Sequence, residues 1–97
     1  MTQRVLPEKV LLYVRESPIR TKIMRHLSGQ AGEYVSMSEL AKSIGEKSGN
    51  VNFHCDRLHK EGLVDLLKTR RKYIRSTEKG LLVWQEVERR GKGRQKQ

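Results

Sequence analysis

The chain has one cysteine, Cys55, so no internal disulfide can form. A lone thiol suits a reducing compartment, with a bridge between two chains as the other use. Aromatic residues are 5% of the sequence, so its core must be mostly aliphatic. Long apolar runs are missing as well. The first, VLLYV at 10–14, is too short for a signal segment or a membrane span. Acidic residues are scarce, 11 against 21 lysines and arginines, which leaves a formal charge of +10. Such an excess favours a polyanionic partner, nucleic acid before membrane. No Ser/His/Asp set, paired carboxylates or glycine-rich phosphate loop can be placed, which argues against an enzyme and calls for no cofactor.

What is present fits one domain of 97 residues. A domain of this size buries roughly 60–65% of its unfolded surface and leaves little room for a ligand cavity. The positive charge is concentrated late: from Lys68 to Gln97 there are eleven basic and three acidic residues, a surplus of eight.

The local signals follow in order. Residues 7–16, PEKVLLYVRE, read equally as a helix started by Pro7 or as a short strand. Ser17-Pro18 is a helix start, and Ile19, Ile23 and Leu27 then form one apolar stripe. Gly29 and Gly32 end that element. Tyr34-Val35 suggests a short strand, and Ser36-x-x-Glu39 a capping box. Leu40, Ala41 and Ile44 make the buried side of a two-turn helix that Gly45 stops. After a tight turn, Ser48 can cap a helix over 48–61, with Val51, Cys55 and Leu58 on its core face. LVDLL, KTRRK and YIRS read as strand, polar turn and return strand. Thr77 caps a last helix, EKGLLVWQEVERR.

Two helices joined by a tight turn, the second polar on one side, form a helix-turn-helix, and the basic hairpin behind it is a wing. SMSELAKSIGEKSGNVNFHCDRLHKEGLV resembles this unit in winged-helix transcriptional regulators of the ArsR and MarR type. STEKG resembles the family's Thr-x-x-Gly after the wing, and IRTKIMRHL its first helix. The resemblance covers about residues 17–88. It implies a mainly α fold with a small β-hairpin, an α+β winged helix-turn-helix. The family commonly has leucine at positions 55 and 76, where this chain has Cys55 and Ser76. The cysteine-pair motif of metal-sensing ArsR proteins is missing.

The expected organisation is an N-terminal extension over 1–16 that can contact a second chain, the winged helix over 17–89, and a disordered basic tail over 90–97. The expected function is sequence-specific binding of double-stranded DNA, with transcription repressed by occupancy of an operator, in the cytoplasm at the nucleoid. Helix 48–61 would enter the major groove and present Ser48, Asn50, Asn52, Phe53 and Arg57 to base edges. Asparagine pairs bidentately with adenine, and Phe can touch a thymine methyl. The wing over 64–76 offers Lys68, Arg70, Arg71, Lys72 and Arg75 to phosphates or the minor groove.

Some of these residues have a plainer alternative. Phe53 can instead belong to the core, and Arg70-Arg71-Lys72 can be a solvated turn. Trp84 fits a core or an interface. The last helix carries apolar residues on two sides, so Leu81, Trp84 and Val87, with Leu11 and Val14, are the candidate surface of a homodimer. His54, Cys55 and His59 resemble a metal set, but zinc normally takes three or four protein ligands, and packing is the preferred reading. The competing functions are a sequence-neutral architectural DNA binder and a winged-helix protein-interaction module.

Overall fold

The computed structural model describes residues 7–30 and 32–95, with side chains through Gly91. The element order is α1 (Glu8–Arg15), α2 (Pro18–Ser28), β1 (Val35–Ser36), α3 (Met37–Ile44), α4 (Ser48–Lys60), β2 (Val64–Lys68), β3 (Lys72–Ser76) and α5 (Glu78–Gln95). The strands form one antiparallel sheet in the order β1-β3-β2. The small hairpin is therefore widened by a third strand. It sits one residue later than Tyr34-Val35, with Val35 opposite Ile74 and Ser36 opposite Tyr73.

The ambiguous segment 7–16 is helical. As a helix it turns Val10, Leu11 and Val14 inward together, which the alternation of a strand would prevent. Leu12, which falls on the other side, is 43% exposed. This segment is thus part of the single core; residues 1–6 of the expected extension lie outside the described residues.

Caps set the next boundaries. The Ser17 hydroxyl accepts the Arg20 N–H at 3.2 Å, and Pro18 occupies the first helical turn where no N–H is needed. Ser36 likewise accepts the Glu39 N–H at 3.1 Å. Gly45, at φ +71°, ends α3 in the left-handed region. The start of α4 departs from expectation. Val51 N–H bonds to the Lys47 carbonyl at 3.1 Å, so the first turn closes on Lys47, and Ser48 is the first helical residue instead of the cap.

The core is a layer of aliphatic side chains between the helices and the sheet. Ile23, Met24, Leu27, Leu40, Val51, Cys55, Leu58, Leu63, Ile74 and Val83 are fully buried. Burying each Leu, Ile, Val or Met side chain is worth about 1.5–3 kcal/mol. Ser76 is buried among them, and its hydroxyl finds no hydrogen-bond partner among the described residues. β3 nevertheless keeps its pairing through Ser76, opposite Val64.

The joint behind the wing explains the Thr-x-x-Gly pattern. Thr77 Oγ1 donates to the Gly62 carbonyl at 2.7 Å and accepts the Gly80 N–H at 2.9 Å. Thr77 N–H donates to Leu63 O at 3.1 Å. α5 then lies so close to this carbonyl that only a glycine fits at position 80. α5 runs on to Gln95, through most of the 90–97 stretch read as a disordered tail; residues 96–97 lie outside the described residues.

The two apolar sides of α5 do each find a partner, and the second partner is α1 of the same chain. Leu11, Val14, Trp84 and Val87, proposed for an interface between chains, are buried in this chain's own core. Leu81 is half-buried. The Glu8 carboxylate accepts a bond from Arg90 at 2.8 Å and closes the α1–α5 contact at its surface.

Candidate nucleic-acid interface

α3, the Gly45–Lys47 turn and α4 form the helix-turn-helix, and β2–β3 the wing beside it. The turn is tied down by Lys22 of α2, which pairs with Glu46 at 2.9 Å. α4 is braced along both flanks. On the α2 side, Arg20 reaches His54 Nδ1 at 3.5 Å, while its Nε donates to the Tyr13 carbonyl at 2.7 Å. On the sheet side, His59 Nδ1 lies 3.1 Å from the Val64 carbonyl. A carbonyl only accepts, so Nδ1 carries the proton. Near the wing base, Lys72 Nζ donates to Asn52 Oδ1 at 2.8 Å.

The outer face of α4 is open. Ser48, Gly49, Asn50, Phe53 and Arg57 are exposed, and Asn52 is half-buried toward the wing. Phe53 is 55% exposed, which excludes the core alternative. The Arg57 guanidinium lies 5.3 Å from its ring centroid, and the His54 ring meets it edge-on at 5.2 Å. This places an aromatic face and a cation side by side on the helix surface. His54 titrates below its ordinary 6.5, chiefly because burial disfavours the imidazolium, with the positive charges of Arg20 and Arg57 adding to this.

The wing cations divide into two groups. Lys68, Arg70 and Arg71 are exposed at the tip, where Thr69 donates to the Arg71 carbonyl through both its N–H and its hydroxyl, each at 3.0 Å. Lys72 and Arg75 have intrachain partners. Arg75 pairs with Asp65 at 3.2 Å and lies 4.7 Å from the Tyr34 ring centroid. Arg75 is therefore a brace of the sheet, and a phosphate would have to compete with Asp65 for it.

His54, Cys55 and His59 do not converge. Cys55 points into the core, and burial first, then the Asp56 charge, pushes its thiol up to about 12. The two histidines face opposite flanks of α4. Among the described residues no three His, Cys, Asp or Glu side chains gather as a metal set. An open surface groove of about 360 Å³ lies along α2 and α5, lined by Arg15, Thr21, Arg25, Trp84, Val87 and Glu88.

Sequence reasoning missed Arg20 and the second role of Lys72. Both act across 20 or more residues, through contacts that only the fold brings together. No helix among the described residues is long and apolar enough to cross a membrane.

No family profile matches the sequence, and no curated protein sequence matches it. Solved structures do resemble the fold. A transcriptional regulator homologue from Pyrococcus horikoshii OT3 superposes with a TM-score of 0.76 at 22% identity, over 88% of this chain and 89% of that one. NadR, solved in complex with 4-hydroxyphenylacetate, gives 0.71 at 19% identity, over 99% and 80%. A MarR-family transcriptional regulator from Rhodococcus sp. RHA1 gives 0.71 at 23% identity, over 84% of this chain and 59% of its own length. The chain has the winged-helix fold of these structures.

Proposed function

We propose that the chain is a non-enzymatic, sequence-specific regulator that binds double-stranded DNA and represses transcription by occupying an operator. The observation that carries this reading is the braced outer face of α4, with Asn50, Phe53 and Arg57 open beside a wing tip bearing Lys68, Arg70 and Arg71. An α-helix fits the major groove and presents its N-terminal half to base edges. The tip cations are free to neutralise phosphates, in line with a net charge of +10.

The regulator acts in the cytoplasm, at the nucleoid, as a homodimer. The dimer surface draws on Leu81, which keeps accessible area, and on Leu12, the apolar side chain of α1 that the core leaves out. Two α4 helices about 34–36 Å apart would meet successive major grooves and favour a palindromic site.

The test is selection and sequencing of genomic fragments bound at about 50 and 200 mM salt. A palindrome enriched at both concentrations is expected. Arg71→Ala should weaken all DNA alike and reduce the salt slope by about 1. Strong binding at low salt that collapses and enriches nothing would establish an architectural binder instead. No binding at either salt would leave a protein-interaction module. Sedimentation as a monomer, free and on DNA, would refute the dimer.

A further inference from the structure

Among the contacts of α4, one determines what the helix can read. Lys72 Nζ sits 2.8 Å from Asn52 Oδ1. An ammonium has three donors and no acceptor, so the atom it holds must be the carboxamide oxygen, and the amide orientation is fixed by chemistry. The Asn52 NH2 group must then point away from Lys72. No carboxylate lies within ion-pair distance of Lys72 among the described residues, so its charge stays uncompensated. Asn52 and Lys72 together present mostly donors at the junction between α4 and the wing, with one of the two lone pairs of Asn52 Oδ1 already taken.

This arrangement disagrees with the pairing expected from the residue type. Bidentate reading of adenine needs the asparagine oxygen to accept from the adenine amino group while the amide N–H donates to N7. Here one lone pair of that oxygen already holds an ammonium, and the adenine amino group would have to reach the other beside a full positive charge. Guanine suits the site. Its major-groove edge carries two acceptors, O6 and N7, and lysine and amide donors both satisfy them.

We propose that Lys72 is a specificity-determining residue: by holding the oxygen of Asn52 it converts that side chain from an adenine reader into part of a two-residue donor set for guanine. The inference rests on the DNA-reading role proposed above. It makes Lys72 a positioning residue as well as a donor, and it links wing to helix, since displacing β3 would release the asparagine.

The experiment is a selection of bound sites from randomised duplex DNA, with the full chain and three variants. Asn52→Ala identifies the base position that depends on this side chain, and the wild type should enrich guanine there. Lys72→Met frees the oxygen, and guanine-over-adenine enrichment at that position should fall about tenfold or more, toward adenine. Asn52→Asp keeps a partner for Lys72 but has no N–H, so the guanine preference should be lost without a gain of adenine. Thermal melts establish that each variant is folded. Adenine at that position in the wild type would overturn the proposal, as would guanine retained in Lys72→Met. An enriched site with no position dependent on Asn52 would overturn it too, while leaving the regulator reading intact. A wild type that enriches no site defeats the regulator reading, and this inference with it.

Discussion

Gly80→Ala would place a methyl group against the backbone that joins α4 to β2. A Cβ at position 80 falls well inside contact of Leu63 O, 3.1 Å from the Leu63 carbonyl carbon and 3.3 Å from Met24 Cε. The methionine end can swing aside, but the carbonyl cannot, because it accepts the Thr77 N–H that starts α5. Overpacking of this kind costs about 1–3 kcal/mol. Disturbing the Thr77 bond adds about 1 kcal/mol, and the better helix propensity of alanine returns about 1 kcal/mol. The net loss is about 2 kcal/mol, which should lower the melting temperature by roughly 8–16 °C in a domain of this size. Gly91→Ala, in the same helix with open space around it, isolates the propensity term and should be neutral or stabilising by up to about 1 kcal/mol. Urea melts of the three proteins measure both values. A Gly80→Ala chain as stable as the wild type would refute the close approach of α5 to Leu63.

Two further expectations follow from titratable groups on α4. Cys55, buried and with its thiol pushed up to about 12, should resist a thiol-specific disulfide reagent at pH 8 in the folded protein and react only as it unfolds; rapid stoichiometric labelling of the native chain would contradict its core placement. His54 holds its folded pKa below 6.5, so well above pH 6.5 it is neutral in both states and has no effect on stability. As pH falls below 6.5, the unfolded chain takes up a proton that burial, Arg20 and Arg57 deny the folded one, so stability should decline until the lowered pKa is passed. His54→Gln should flatten this part of a stability-against-pH curve, and an unchanged slope would show that His54 is not its source.

Features encoded within four residues were legible in the sequence. The caps at Ser17, Ser36 and Thr77, the stop at Gly45 and the core face of Val51, Cys55 and Leu58 all lie within one or two turns of their partners. Ser48 has the residue type of a cap, but Lys47, which bears no capping side chain, closes the turn with its backbone. The period of VLLYV was undecidable, since four of its five residues are aliphatic; the cover supplied by α5 decides it. The same contact explains Trp84 and Val87. Their pattern announced a surface to be buried but not which helix would bury it. At the candidate interface, residue types were legible and their availability was not. Asp65 for Arg75 and Asn52 for Lys72 are partners set by strand register and by the packing of the sheet on α4.

The strand order has a consequence for solubility. β2 ends the sheet on one side, with its outer backbone unpaired by any other strand among the described residues and Leu67 41% exposed. Such an edge is a template for another chain to add to, and natural sheets block it with charge. Lys68 at the end of β2, with Arg70 and Arg71 just beyond, supplies that charge here. The cations proposed to meet phosphate thus also place charge where the sheets of separate molecules would join edge to edge. Neutralising all three to test the proposed DNA contact would remove that edge charge at the same time.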